Sequence, residues 1–210
     1  MFRTHFFGLG FALCAASAVA SASPTPAGKP ETSAAAEAVS RFHLTLTDAM
    51  RRSAVLGCEG RYKLMQPAVE ATFDLPGIAA RALRRHWKTL DERQREAFTT
   101  AMRTSFITTY ATEFSTPGAV SFATGQSERM ANGDALVHTT LTPKGHSAIT
   151  LDYVLKAQGE HWQVVNVLAD GVSDLALRAS QYDGLMKSDG MAALLEKIHS
   201  QTLQLKARCK

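Results

Sequence analysis

Few residues in this chain have the types and spacing that chemistry needs. Gly171-Val172-Ser173-Asp174 puts a serine beside an aspartate. A serine nucleophile also needs a partnered histidine, which no local motif supplies. The same four residues read more simply as a strand-to-helix turn with Ser173 as the N-cap. His138, His146 and His161 match no common zinc spacing and read as surface histidines. GxSxG, CxxC, HExxH, a P-loop and a complete GxGxxG are all missing. Seven histidines and three cysteines are too scattered to build a metal cluster, so no metal or other cofactor is expected. The surviving catalytic reading is a small exported pocket enzyme using His138, Asp152 or Asp170. It requires an ionisable pair deep in a cavity.

Apolar and cationic patterns say more. Phe98, Met102, Phe106, Tyr110 and Phe114 recur every four residues. At about 3.6 residues per turn the row drifts by about 160° around a helix over its length. It is either ordinary core or, in part, the wall of an apolar cavity under a sheet, where aromatic rings and methionine adapt to a guest. Residues 51–103 hold 11 Lys/Arg against 6 Asp/Glu. Within them Arg81, Arg84, Arg85 and Lys88 fall at i, i+3, i+4 and i+7 and are predicted to share one helix face. Such a face is either simply solvated or contacts anionic head groups or an acidic partner protein. A net charge of +4 without a recognisable motif gives no reason to expect nucleic acid.

The chain that positions these residues is 210 long, 45% apolar and 20% charged. That excludes collagen-like, coiled-coil and wholly disordered chains and allows one domain or two small ones. Arg3 and His5 precede an apolar run from Phe6 to Ala20, and Ala20-Ser21-Ala22 offers a cleavage site. Residues 1–22 therefore read as a secretory signal peptide, cut after Ala22 or after Ala20. No later segment has the apolar length of a spanning helix, so a soluble exported protein is expected. Residues 23–36 carry three prolines and read as a flexible linker; 37–210 form one domain. The mature chain keeps Cys58 and Cys209. Export permits a disulfide between them, but sequence leaves it open against two free thiols.

Residues 37–116 read as helices. Val39, Phe42, Leu46, Ala49 and Met50 keep helical spacing, a short segment spans 59–72, and Asp74 with Pro76 starts a helix running to Trp87. Thr89 to Glu92 has the pattern of a capping box opening a helix from Asp91 to about Phe114. From 119 to 170, turn signals at Asn132-Gly133, Pro143 to Gly145 and Gln158-Gly159 separate alternating runs, predicting a four-stranded antiparallel meander. Trp162 to Ala169 is almost continuously apolar, as for a strand covered on both faces. Two helical stripes follow: one at Leu175, Ala179, Tyr182 and Met186, and one from Met191 to Leu205. The class is α+β, with helices on one face of a curved sheet enclosing an apolar cavity. The predicted lining is Phe73, Trp87, Phe98, Met102, Phe106 and Tyr110 from the helices, with Phe122, Leu136, Leu151, Tyr153, Leu155 and Val167 from the strands.

Two blocks carry a family resemblance. Tyr62–Phe114 has Phe73-Asp74 before a helix, Trp87 before Gln94-Arg95-x-x-Phe98, and Thr109-Tyr110-Ala111. Trp162–Tyr182 has Trp162-x-Val164 and Asp170-Gly171-Val172-Ser173. The set resembles the toluene-tolerance, or MlaC-like, family of periplasmic lipid-binding proteins over about residues 37–205. Leu75-Pro76-x-Ile78, the run Ser173 to Ala176 and the tail Asp189 to Leu195 are most similar to its hopanoid-biosynthesis-associated branch. Asn166 and Arg84-Arg85 depart from the usual pattern. The resemblance implies a non-enzymatic shuttle carrying phospholipid or hopanoid between inner and outer membranes. Its implied partners are an ABC or RND-type transporter of the inner membrane and an outer-membrane acceptor complex, with transient contact at the membrane surface. A third expectation is a docking subunit that carries nothing.

Overall fold

The computed structural model describes residues 31–209. The expected signal peptide, its cleavage site and residues 23–30 of the expected linker lie outside the described residues. The helix α1 spans Glu31–Arg51 and so begins six residues before the expected domain boundary. Ala34 to Ala38 explain why: strong helix formers follow one another, and Ala35 is fully buried, which anchors the first turns.

Next, α2 spans Ser53–Thr72 and is kinked at Gly57, whose φ of 58° lies in the left-handed region that favours glycine. The short helix α3, Leu75–Leu83, starts where Asp74 and Pro76 predicted, with the Asp74 side chain accepting from the Gly77 amide at 2.9 Å. It ends sooner than predicted. Arg84 takes φ 49°, and a 3₁₀ segment covers Arg84–Thr89. The helix α4, Glu92–Glu113, is opened by a capping box, but the pair is Asp91 with Gln94 rather than Thr89 with Glu92. Asp91 accepts from the Gln94 amide at 2.8 Å, and Gln94 accepts from the Asp91 amide at 3.1 Å. The Thr89 hydroxyl instead donates to the His86 carbonyl, closing the 3₁₀ segment.

The meander follows as β1 (Val120–Arg129), β2 (Ala135–Pro143), β3 (Ile149–Gln158) and β4 (His161–Ala169), and a two-residue β5 (Val172–Ser173) makes it five strands in the order β1-β2-β3-β4-β5. The sheet is open. Its register pairs Val137 with Tyr153 and Tyr153 with Val167, so these three point to one face. A bulge at Val165 explains two successive buried residues, Val164 and Val165. The free edge of β4 is partly covered: Phe73 bridges to Val164, and the Asp74 amide donates to the Val164 carbonyl at 3.0 Å. Two helices complete the chain, α5 (Asp174–Ser188) and α6 (Gly190–Arg208). Among the described residues no helix is long and apolar enough to cross a membrane.

Helices cover one face of the sheet, and the core lies between. Phe42 and Leu46 of α1, Met65 and Val69 of α2, and Ile107 of α4 are buried in one core cluster with Tyr153, Leu155 and Val164 of the sheet. At the far end Cys58 and Cys209 form a disulfide, spanning 151 positions and tying α2 to the end of α6. Arg61, 1% exposed, braces the same corner: Nε donates to the Ala111 carbonyl at 2.8 Å, one terminal nitrogen to the Ser53 carbonyl and the other to Cys209 Sγ at 3.3 Å. Closing so long a loop removes unfolded-chain entropy. Urea denaturation of Cys58→Ser/Cys209→Ser is therefore expected to show a loss of about 2–5 kcal/mol. A variant as stable as the parent would mean that Arg61 and its neighbours hold the corner unaided.

Candidate functional site

Ten of the twelve predicted lining residues fall into two groups. Phe73, Phe106, Tyr110, Phe122, Leu151, Tyr153, Leu155 and Val167 come together between the helices and the inner face of the sheet. Phe42, named for its helical spacing and absent from the predicted lining, stands at their centre, edge-on to Phe73 at 5.2 Å and to Tyr110 at 5.0 Å. Phe73 meets Phe106 at 6.0 Å, and Tyr110 leads through Phe114 to Phe122. The four-residue row on α4 splits as its drift requires. Its C-terminal half joins these rings, whereas Phe98 and Met102 turn to α5. There Phe98 meets Tyr182 at 5.7 Å, and the Tyr182 hydroxyl donates to Met102 Sδ at 3.4 Å.

Two residues belong to neither group. Leu136 lies on the outer face of the sheet, because its neighbours Ala135 and Val137 are fully buried and strand alternation sends Leu136 the other way. Trp87 sits in the corner between the 3₁₀ segment and α4, where the Arg95 guanidinium lies over its ring at 5.6 Å and Arg95 Nε donates to its carbonyl.

The void behind Phe106, lined by Ile78, Val165, Asn166, Val167, Asp174 and Leu175, is about 20 Å³, far smaller than the apolar cavity expected between helices and sheet. Larger spaces lie at the surface. A cleft of about 610 Å³ between α1, α2 and the β3–β4 hairpin has a floor of Phe42, Ala38, Ala68 and Trp162, and a rim carrying Glu37, Arg41, Glu160 and His161. A groove of about 470 Å³ crosses α4, α5 and α6 beside Arg178.

Polar groups inside are few. His43 is 4% exposed and stacks on Phe122 at 4.3 Å; its Nε2 lies 3.0 Å from the Tyr153 hydroxyl, and its Nδ1 is buried without a hydrogen-bond partner. Burial lowers its pKa to about 4 and raises that of Tyr153, so both are neutral at pH 7. Sequence reasoning missed His43; an isolated histidine one residue past a core phenylalanine carries no signal by spacing. Arg178 Nε donates to Asp174 at 2.7 Å, and the guanidinium lies over the Phe106 ring at 5.0 Å. Burial would lower its pKa, but the Asp174 carboxylate outweighs that and holds it raised.

The catalytic alternatives find no interior pair. His138 Nδ1 lies 2.8 Å from Asp152, but both face outward on β2 and β3. Asp170 accepts from the Thr150 amide at the sheet's end. Ser173 caps α5 at the Ala176 amide and donates its hydroxyl proton to Asn166, the expected N-cap role. Among the described residues no cluster of three or more metal-ligating side chains occurs. The cationic face is also corrected: the break at Arg84 removes the single helix on which it was drawn. Arg81 lies 3.5 Å from Asp74, Arg85 2.8 Å from Asp183, while Arg84 and Lys88 are exposed. Lys187 and His86, with Arg85, hold the Asp183 carboxyl well below its usual range and lock the 3₁₀ segment to α5.

His43 makes stability pH-dependent with a definite sign. Between pH 6.5 and 4 the unfolded chain binds a proton at this residue that the folded chain refuses. Folding stability due to His43 is therefore intact above pH 6.5, falls on acidification by on the order of 3 kcal/mol, and levels below pH 4. Denaturation midpoints of the parent and His43→Gln from pH 7 to 4 are expected to converge by this amount; parallel profiles would contradict it.

The profile of the MlaC protein family matches residues 45–200. No curated protein matches the chain in a sequence comparison. Among solved structures, a phospholipid-binding protein from Ralstonia solanacearum, solved in complex with a phospholipid, superposes with a TM-score of 0.71 at 17% identity, covering 81% of this chain and 98% of that one. At that identity the likeness is one of fold.

Proposed function

The chain belongs to the MlaC family, and from that premise we propose that it is a non-enzymatic lipid carrier, exported to the periplasm, that moves phospholipid or hopanoid between the two membranes. The observation that carries this reading is the wall of Phe42, Phe73, Phe106, Tyr110 and Phe122 between the helices and an open sheet. The same fold holds a phospholipid in the Ralstonia protein.

Magnitudes favour a guest here. Two 16-carbon chains left in water cost on the order of 20 kcal/mol or more, since each CH₂ is worth about 0.8 kcal/mol. Unaided transfer through water is then far too slow, and a carrier must offer an interior close to the bilayer in free energy. Edge-on ring pairs such as Phe42–Phe73 contribute about 0.5–1.5 kcal/mol each beyond area burial, so a guest that replaces them loses little. The cleft floored by Phe42 and Trp162 gives acyl chains a route to these rings from the surface.

Exchange needs a docking partner. Arg84, Arg85 and Lys88 are exposed on the 3₁₀ segment and suit an acidic surface of a membrane transporter, of the ABC or RND type, and an outer-membrane acceptor. Arg81 instead holds the start of α3 through Asp74. The small size of the void behind Phe106, about 20 Å³, favours a second reading, a docking subunit without cargo, and one experiment separates them. Protein purified from its native host and extracted for mass spectrometry is expected to yield phospholipid or hopanoid near one equivalent. Protein that arrives empty and refuses lipid from vesicles would establish the second reading. Arg84→Glu/Lys88→Glu, which leaves the Arg85–Asp183 pair intact, is expected to keep its lipid but slow transfer by about tenfold, an effect that high salt mimics. Unchanged transfer would remove the docking role.

A further inference from the structure

The corner where α2, α4 and α6 meet holds chemistry that lipid carriage does not use. Cys58 and Cys209 are joined there, and their two sulfurs have unlike surroundings. Cys209 Sγ accepts a hydrogen bond of 3.3 Å from a terminal nitrogen of Arg61, a residue 1% exposed. The other nitrogens of that guanidinium aim it: Nε donates to the Ala111 carbonyl and the second terminal nitrogen to the Ser53 carbonyl. An arginine stays charged at any ordinary pH, and its charge acts more strongly where water is excluded. Cys58 instead lines a space of about 300 Å³ with Tyr62, Ala111 and Thr112. Two charged side chains border this space: Glu59, and Lys206, whose ammonium stands over the Tyr62 ring at 5.8 Å. Glu59 is paired with Lys63, and Arg208, next to Cys209 in the chain, is paired with Glu113.

Disulfide exchange discriminates between such sulfurs. A thiolate attacks one sulfur in line with the bond and expels the other, so the better-stabilised thiolate is the preferred leaving group. Cys209, when expelled, meets a fixed cation of the kind that lowers a thiol's pKa. Cys58, when expelled, would carry its charge beside the Glu59 carboxylate.

We propose that the Cys58–Cys209 bond is an exchange site for a small thiol, with Cys58 as the sulfur that takes the thiol and Cys209 as the leaving group held by Arg61. The thiol, ionised by loss of its proton to water, brings an electron pair to Cys58 Sγ. A mixed disulfide forms there as the original bond breaks, and the released pair stays on Cys209 Sγ as a thiolate beside the guanidinium. One sulfur–sulfur bond replaces another, so no oxidant or reductant is consumed. Attack by Cys209 on the mixed disulfide reverses the step and expels the thiol. The thiol enters through the space that Cys58 lines, and Lys206 at its border attracts the anion. The product carries the thiol on α2 and unties the end of α6 from it.

The folded mature protein, held with excess reduced glutathione at neutral pH, is quenched with iodoacetamide and digested, and mass spectrometry reads each cysteine. Glutathione is expected on Cys58 and the alkyl group on Cys209, in about tenfold or greater excess over the reverse arrangement. Equal occupancy, or glutathione mainly on Cys209, overturns the proposal. So does a bond that glutathione leaves intact in the folded protein and opens only in urea. Arg61→Lys keeps a charge without the fork and is expected to lower the preference. Should that buried change prevent folding, two single-cysteine proteins decide the same point. In Cys58→Ser, the alkylation rate of Cys209 is expected to rise through a pKa below the ordinary value of about 8.5, and below that of Cys58 in Cys209→Ser. A Cys209 pKa at or above that of Cys58 overturns the role of Arg61 as holder of the leaving group. Lys206→Gln, an exposed change on α6, is expected to slow the exchange severalfold and leave its position unchanged. An undiminished rate would exclude entry through this space and overturn the proposal with it.

Discussion

Burying one face of an open antiparallel sheet against helices on that side only is the constraint on which the molecule depends. Each strand sends alternate residues inward, and what meets them is mostly aromatic: Phe42 from α1, Phe73 from the α2–α3 junction, Phe106 and Tyr110 from α4. Rings contribute large buried area through few torsions and settle edge-on at 5–6 Å rather than interdigitating as branched aliphatics do. An interior built this way is stable when closed and can exchange ring–ring contacts for ring–hydrocarbon contacts at small net cost. The fold and the proposed cargo are thus two consequences of one packing choice.

The polar exceptions lie within that interior and at its limits. His43 and Tyr153 satisfy each other across α1 and β3, leaving His43 Nδ1 without a partner. Such an atom costs about 1–3 kcal/mol in a native state. Arg61 and the disulfide between Cys58 and Cys209 close the end remote from the β3–β4 hairpin, fixing α2, α4 and α6 to one another. Asp183 does the same for the 3₁₀ segment and α5, accepting from Arg85, His86 and Lys187. The Arg61, disulfide and Asp183 ties sit around the aromatic layer, whereas the His43–Tyr153 pair lies within it, with His43 stacked on Phe122.

Much of the architecture is written in local pattern. The alternation of Leu151, Tyr153 and Leu155 set the inner face of β3 correctly, the Asp74–Pro76 signal placed the start of α3, and the stripes of α5 and α6 appeared at their helical spacing. Where pattern was ambiguous, the reading slipped. Leu136 looked like an inward residue, although Val137 beside it is the buried one. The four cations from Arg81 to Lys88 looked like one helical face because nothing in their spacing reveals that Arg84 adopts a positive φ.

The amino-acid sequence by itself determined the class of fold, the order of its elements and the richness of the α4 row in rings. Period and capping act over a few residues and need no partner. Only the tertiary structure decided which half of that row faces the sheet, that its rings meet Phe42 and Phe73, that two cysteines 151 positions apart meet, and that Arg178 rests on Phe106 with Asp174 beside it. Each of these depends on distances between segments remote in the chain. Helix drift, strand register and the angle at which elements cross set those distances, and none of them is a property of any short stretch of sequence.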